Sequence, residues 1–155
     1  MKQLITLILI GFSQLLMAQD GYKLWLQYAE VDNPKVVEQY KKYNTKVQLD
    51  TTTATGTVIH NELNLAFSGM LAQQVELSSE QPTLVILKYS ALPQNLKKEF
   101  DELNNLPEDG YKILTMRSDK RDVIVISSAS EKGLLYGTFA YLREMQLHKD
   151  LSKLD

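Results

Sequence analysis

Residues 83–87, Thr-Leu-Val-Ile-Leu, form a short continuous apolar run between Pro82 and Lys88. No other stretch constrains the fold as much. A short apolar run without alternation has the pattern of a strand buried on both faces, so these residues belong at the centre of a sheet. The rest of the chain must supply the neighbours and the cover. Composition allows this, since 44% hydrophobic against 23% charged residues is the balance of a packed globular protein. The length of 155 residues suffices for one domain, whereas a full (β/α)8 barrel takes roughly 250 residues.

The flanking segments alternate between strand and helix patterns. Residues 22–28 place Tyr22, Leu24, Leu26 and Tyr28 on one face and Lys23, Trp25 and Gln27 on the other, which predicts a first strand. Asn33-Pro34 has the form of an N-cap followed by proline at the first helical position. Val36, Val37, Tyr40 and Tyr43 follow at helical spacing, with Lys41, Lys42 and Lys46 near the end, where cations suit the helix dipole. Val47, Leu49, Thr51 and Thr53 alternate in a Thr-rich strand expected to end at Gly56, near a sheet edge. Ile59, Leu63, Ala66, Phe67, Met70 and Leu71 then fall on one helical stripe.

After the central run, Leu96, Phe100 and Leu103 predict a short amphipathic helix between Pro93 and Leu106-Pro107. Residues 111–116 and 122–127 are expected to pair antiparallel, because the polar segment 118–121 has hairpin length. Ser130 precedes a last helix running to about Leu147, with Leu135, Phe139, Leu142 and Met145 as its buried stripe. The order β-α-β-α-β-α-β-β-α, with a hairpin among crossover units, predicts a mixed β-sheet with helices packed on it.

The N-terminus follows a different logic. Lys2, the apolar residues 4–12 and Leu16-Met17-Ala18 match the charged region, apolar region and cleavage site of a secretory signal peptide over residues 1–18. Ser13 and Gln14 interrupt the stretch before it reaches the about 20 apolar residues that a stable membrane span needs. The chain is therefore expected to be exported, periplasmic or extracellular after cleavage near Ala18, with residues 19–150 forming the domain.

Several chemistries are excluded by supply. The absence of cysteine removes disulfides, thiolate catalysis, Cys-ligated zinc and iron–sulfur clusters. A net charge of −2 without a basic stripe argues against nucleic acid. A Ser-His-acid site would need His60, which falls off its helix's apolar stripe and is expected to be exposed, or His148, in a charged tail beside Lys149 and Asp150. Gly133-Leu-Leu-Tyr-Gly137 lies inside a helix and is no phosphate loop; its glycines share one face and are expected to let the helix press on the sheet. The acidic candidates for a glycosidase pair are Glu62, Glu76, Glu99, Asp101, Asp109, Asp119 and Asp122, and all are expected to be solvated surface charges. Trp25 fits a core position better than a sugar-stacking platform. No catalytic, cofactor-binding or metal-binding residue is assigned.

Two segments carry a family resemblance. Asp20-Gly-Tyr-Lys-Leu-Trp-Leu-Gln-Tyr28 and Glu131-Lys-Gly-Leu-Leu-Tyr-Gly-Thr-Phe-Ala-Tyr-Leu-Arg143 are similar to the opening and closing motifs of the N-terminal domain of secreted α-glucuronidases, glycoside hydrolase family 67. Glu62-Leu63 followed by Gly69, and Asp109-Gly-Tyr-Lys-Ile113, fall between them in the expected order. The resemblance implies an α+β fold, a two-layer mixed β-sheet with packed helices, as in the accessory domain that precedes the barrel in α-glucuronidases and hexosaminidases. It also implies a partner, the catalytic (β/α)8 barrel, in cis in the intact enzyme or in trans. In the family that barrel removes 4-O-methylglucuronic acid side groups from xylan-derived oligosaccharides with inversion, using an acid and a base of its own. Residues 151–155 would then begin the linker to the barrel, and this chain would be a truncated or split product, inactive alone and prone to self-association. The alternative is a free-standing carbohydrate-binding or protein-interaction module of a polysaccharide-degrading system, with Trp25 and exposed tyrosines stacking on sugars. A third possibility is a small hydrolase using two surface carboxylates.

Overall fold

The computed structural model describes residues 27–118 and 120–155. The signal segment, Trp25, Asp119 and residues 22–26 of the first expected strand lie outside the described residues. Four strands form one sheet: β1 (Val47–Leu49), β2 (Leu84–Lys88), β3 (Tyr111–Ser118) and β4 (Arg121–Ser128), in the spatial order β1-β2-β4-β3. β1, β2 and β4 are parallel, and β3 is antiparallel to β4. Helices α1 (Pro34–Tyr43), α2 (Ala54–Leu71), α3 (Gln94–Lys97) and α4 (Glu131–Gln146) pack on it. This is the mixed sheet with packed helices expected from the element order, and the α+β class that the resemblance implies.

The apolar run sits where its composition requires. Leu84 of β2 pairs with Val47 on one side and Ile124 on the other. Leu84 and Ile86, together with Ile124 and Ile126 of β4, join the core built from α1, α2 and α4. Val85 and Leu87, with Val123 and Val125, point the opposite way and meet Leu92, Leu96, Phe100 and Leu103. That second cover is thin: α3 continues directly into the 3-10 helix Lys98–Asn105. Alternate side chains of both central strands thus find apolar partners on both faces.

Three expectations need correction. The Thr-rich strand stops at Leu49, because the threonines serve turn and cap instead. Asp50 Oδ1 accepts from the Thr52 N–H at 2.9 Å, and Thr53 Oγ1 caps α2 by accepting from the Gly56 N–H at 2.9 Å. Short hydroxyl side chains compete well for backbone groups in this way. Gly56 lies in the first turn of α2, where an added Cβ would sit 1.8 Å from the Asp50 carbonyl oxygen. The strand expected over residues 22–28 does not extend to its described end: Gln27 and Tyr28 cross the helix layer, with the Gln146 amide donating to the Gln27 carbonyl at 3.3 Å.

The buried stripe of α4 is also rotated. Leu142 and Met145 are buried as expected, but Leu135 and Phe139 are half-buried, and Leu134 and Tyr141 take the inner positions. The glycines explain it. A Cβ on Gly133 would lie 2.0 Å from Ser128 Oγ, and one on Gly137 would lie 2.8 Å from Ile126 Cγ2. Their side of the helix therefore comes closest to the sheet. Ser130 starts this helix as its N-cap, accepting from the Gly133 N–H at 3.0 Å.

Residues 151–155, expected to begin a linker, touch the domain at two points. Leu151 is fully buried, and the Leu154 carbonyl accepts from the Thr115 N–H of β3 at 3.0 Å. No described helix is long and apolar enough to cross a membrane.

Candidate functional site

Glu62 overturns its assignment as a solvated charge. It lies on the face of α2 crossed by Tyr28, is only 4% exposed, and accepts a short hydrogen bond from the Tyr28 hydroxyl. Gly69 makes room for the crossing, since an added Cβ there would lie 2.4 Å from the Tyr28 carbonyl oxygen. The signal was present in the sequence as a glycine two helical turns after an acid, on the same face.

The remaining acids are dispersed. Glu76 lies 3.9 Å from Lys46, and Asp122 lies 3.4 Å from Lys42 and 3.9 Å from Arg117. Asp101 accepts from the Tyr89 hydroxyl at 2.7 Å, while Glu99 and Asp109 are exposed. Exposed ion pairs of this kind contribute little to stability. Among the described residues, no group of three or more His, Asp or Glu side chains could hold a metal ion.

His60 is half-buried where exposure was expected. The Asn64 amide donates to its Nε2 at 3.1 Å and to the His60 carbonyl at 3.2 Å, while Asn64 Oδ1 accepts from the Val75 N–H at 3.1 Å. The Val75 contact fixes which end of the amide faces the ring, so Nε2 accepts and the ring proton is assigned to Nδ1. His60 thereby helps tie α2 to the loop that follows it. His148 is exposed, in the turn after α4 with φ 55°.

The most elaborate polar cluster is a clasp within the helix layer. The Tyr141 hydroxyl donates to Asn44 Oδ1 at 2.8 Å, the Asn44 amide donates to the Tyr40 carbonyl at 2.8 Å, and the Gln73 amide donates to the Asn44 carbonyl at 2.7 Å. The Tyr40 hydroxyl donates to the Lys149 carbonyl at 2.8 Å. Burial, helped by Glu144 and Asp150, pushes the Tyr40 phenol up to about 12. Burial also raises that of Tyr141. Both are neutral hydroxyl donors that join α1 and its C-cap Asn44 to α4 and the turn after it, while Gln73 brings in the segment that follows α2.

Parallel sheets commonly place ligands at the carboxyl ends of their strands. Here an ion pair fills that position: Lys88 Nζ lies 3.0 Å from Glu131, whose other oxygen accepts from the Thr53 hydroxyl at 3.0 Å. The cavity beside it measures about 30 Å³ and is lined mainly by Leu49, Ile59, Ile86 and Leu134. Drug-sized ligands need several hundred Å³.

The geometry offers packing devices, and one comparison accounts for the motifs that build them. Residues 24–141 match the family model described as the glycosyl hydrolase family 67 N-terminus. The chain belongs to glycosyl hydrolase family 67, as its N-terminal domain. No curated protein matches the sequence. The family 67 match covers all four described strands and reaches Tyr141 of α4, so it includes Gly133 and Gly137 where they touch the sheet. Within this family 67 domain the motif Asp109-Gly-Tyr-Lys-Ile113 has a matching role. The Gly110 carbonyl accepts from the Ser128 hydroxyl at 2.6 Å, and Tyr111 lies against Gly137.

Proposed function

We propose that this family 67 domain is the noncatalytic N-terminal part of an exported α-glucuronidase. It associates with a catalytic barrel that removes 4-O-methylglucuronic acid side groups from xylan-derived oligosaccharides. Residues 1–18 act as the export signal. The observation that carries this reading is the family match over residues 24–141. It is supported by the dispersal of the described carboxylates, since a glycosidase needs two that flank one bond.

The test is an assay of the mature chain on aldouronic acids, alone and together with the catalytic region of a family 67 enzyme. The chain alone is expected to give no turnover above a buffer blank, and the mixture is expected to be active. Turnover by the chain alone, abolished by Glu62→Gln or another carboxylate substitution within it, would overturn the proposal. Export is tested separately by the N-terminus of protein recovered outside the cytoplasm: Gln19 is expected, and retention of Met1 would count against the signal.

A further inference from the structure

β3 has eight residues and only one strand partner among the described residues. In an antiparallel pair, successive residues turn their backbone groups alternately toward the partner strand and away from it. Thr115 turns away from β4, because its N–H donates to the Leu154 carbonyl. By the same alternation Tyr111, Ile113 and Arg117 direct their N–H and C=O groups outward. Among the described residues, none of these three has a backbone partner on that side.

The side chains beside this edge are unfinished in the same sense. Ile113 is half-covered against one core, and Leu114 and Met116 are half-covered against the other. Leu106, next to Gly110, and Tyr111 are exposed at the start of the strand. Ala140 of α4 lines an open groove of about 460 Å³ with Tyr111 and Ile113, and the charged Lys112, Glu144, Lys153 and Asp155 form the rest of its wall with Leu154. Tyr136, 44% exposed, lies one turn before Ala140, and Leu147, 54% exposed and the C-cap of α4, lies two turns after it, so a stripe of α4 and its cap continues the groove.

We propose that this β3 edge, with the α4 stripe beside it, is the surface on which the family 67 catalytic domain docks. An extended segment of that domain adds to the sheet at Tyr111 and Ile113. The inference rests on the chain being the N-terminal domain of such an enzyme. An open strand recognises another extended backbone through alternating donors and acceptors, and apolar flanks recognise a matching apolar surface. Contacts between domains typically cover roughly 600–1,500 Å², which calls for the strand and the helix stripe together. Residues 151–154 also lead onto this edge, so a domain joined in cis meets it first. A second copy fits less well. Symmetric pairing of two β3 strands through their centres would need the Thr115 N–H, which Leu154 already occupies.

The full chain is mixed with the catalytic region of a family 67 α-glucuronidase and followed by sedimentation. Ile113→Pro removes one outward N–H while leaving the ladder to β4 intact. The double variant Leu106→Glu/Tyr136→Glu charges exposed positions only, and so reports even if the proline variant does not fold. Val58→Glu/Leu65→Glu charges the other exposed apolar pair, on α2. The wild-type chain and the α2 variant are expected to bind, with the edge variants weakened at least about tenfold, the scale of a lost interface anchor. If the α2 variant loses binding and the edge variants keep it, the edge is overturned while the N-terminal-domain reading stands. If the wild-type chain binds no catalytic region, that reading falls and the edge with it. Self-association through β3 that the catalytic region does not displace would make a second copy the occupant and overturn the inference.

Discussion

The two edges of the sheet are finished in opposite ways. β1 is three residues long, and the chain's own loop closes it: the Val47 N–H donates to the Glu76 carbonyl at 2.8 Å, and the Ser78 N–H donates to the Val47 carbonyl at 2.9 Å. Val47 is fully buried, and the clasp of Asn44, Tyr141 and Gln73 lies close by in the helix layer. β3 is eight residues long and, among the described residues, receives one backbone bond on its outer side, from the tail. Short length and a covering loop are the usual protections of an edge strand. β1 has both, whereas among the described residues β3 is long and is covered on its outer side only where the tail meets Thr115, the contrast on which the proposed docking rests.

The largest effect is expected where α4 holds the β3 side of the sheet. Gly133→Leu should destabilise the domain by about 1–3 kcal/mol through overpacking, because the first added carbon already lies 2.5 Å from the Gly110 carbonyl oxygen. Gly137→Leu should act in the same direction. Unchanged denaturation midpoints for both would show that α4 does not depend on close approach here. On the closed side, Asn44→Ala strands the buried Tyr141 hydroxyl and should lower stability by about 1–2 kcal/mol. A midpoint equal to that of the wild type would remove the clasp from the comparison.

Alkaline pH should loosen the closed side further. The Tyr40 phenol is raised to about 12 in the folded chain, first by burial and then by Glu144 and Asp150. An unfolded tyrosine titrates near ~10, so the stabilisation is complete below that value and is lost as pH rises from there toward about 12. Thermal unfolding followed across this window should show a decline that Tyr40→Phe reduces. A flat profile would contradict it.

The smallest effect concerns the tail. Hydrogen bonds from Ser152 and then Gln39 hold the Asp150 carboxyl down at about 2. Its support of the 151–153 turn is therefore present above the ordinary carboxylate range and is lost as pH falls toward about 2. Asp150→Ala should leave global stability nearly unchanged and speed exchange of the Thr115 amide. Unaltered exchange there would show that Asp150 does not hold the tail.

Local chemistry was legible in the sequence and long-range chemistry was not. The apolar run of β2, the β3–β4 hairpin and the caps Asn33 and Ser130 announce themselves within a few residues, because their causes lie within a few residues. The threonines of residues 51–53 misled because alternation and capping use the same side chains. The burial of Glu62 depends on Tyr28, 34 residues earlier; the local pattern holds only the room for it, Gly69 on the same face, and not the partner that fills it. The openness of β3 follows from strand order, which the run of elements along the chain leaves undetermined. The glycines of α4 do meet the sheet as expected, yet the stripe built from large residues takes in Leu135 and Phe139, two positions from the glycines and off their face.

Site-resolved amide hydrogen exchange of the full chain, with and without the family 67 catalytic region, tests the contrast between the edges most directly. The amides of Val47 and Ser78 should exchange slowly in both samples. Those of Ile113 and Arg117 should exchange rapidly in the chain alone, and Ile113 should become protected when the catalytic region binds. Slow exchange at Ile113 in the chain alone, or binding that leaves it unprotected, would contradict an edge completed by a partner.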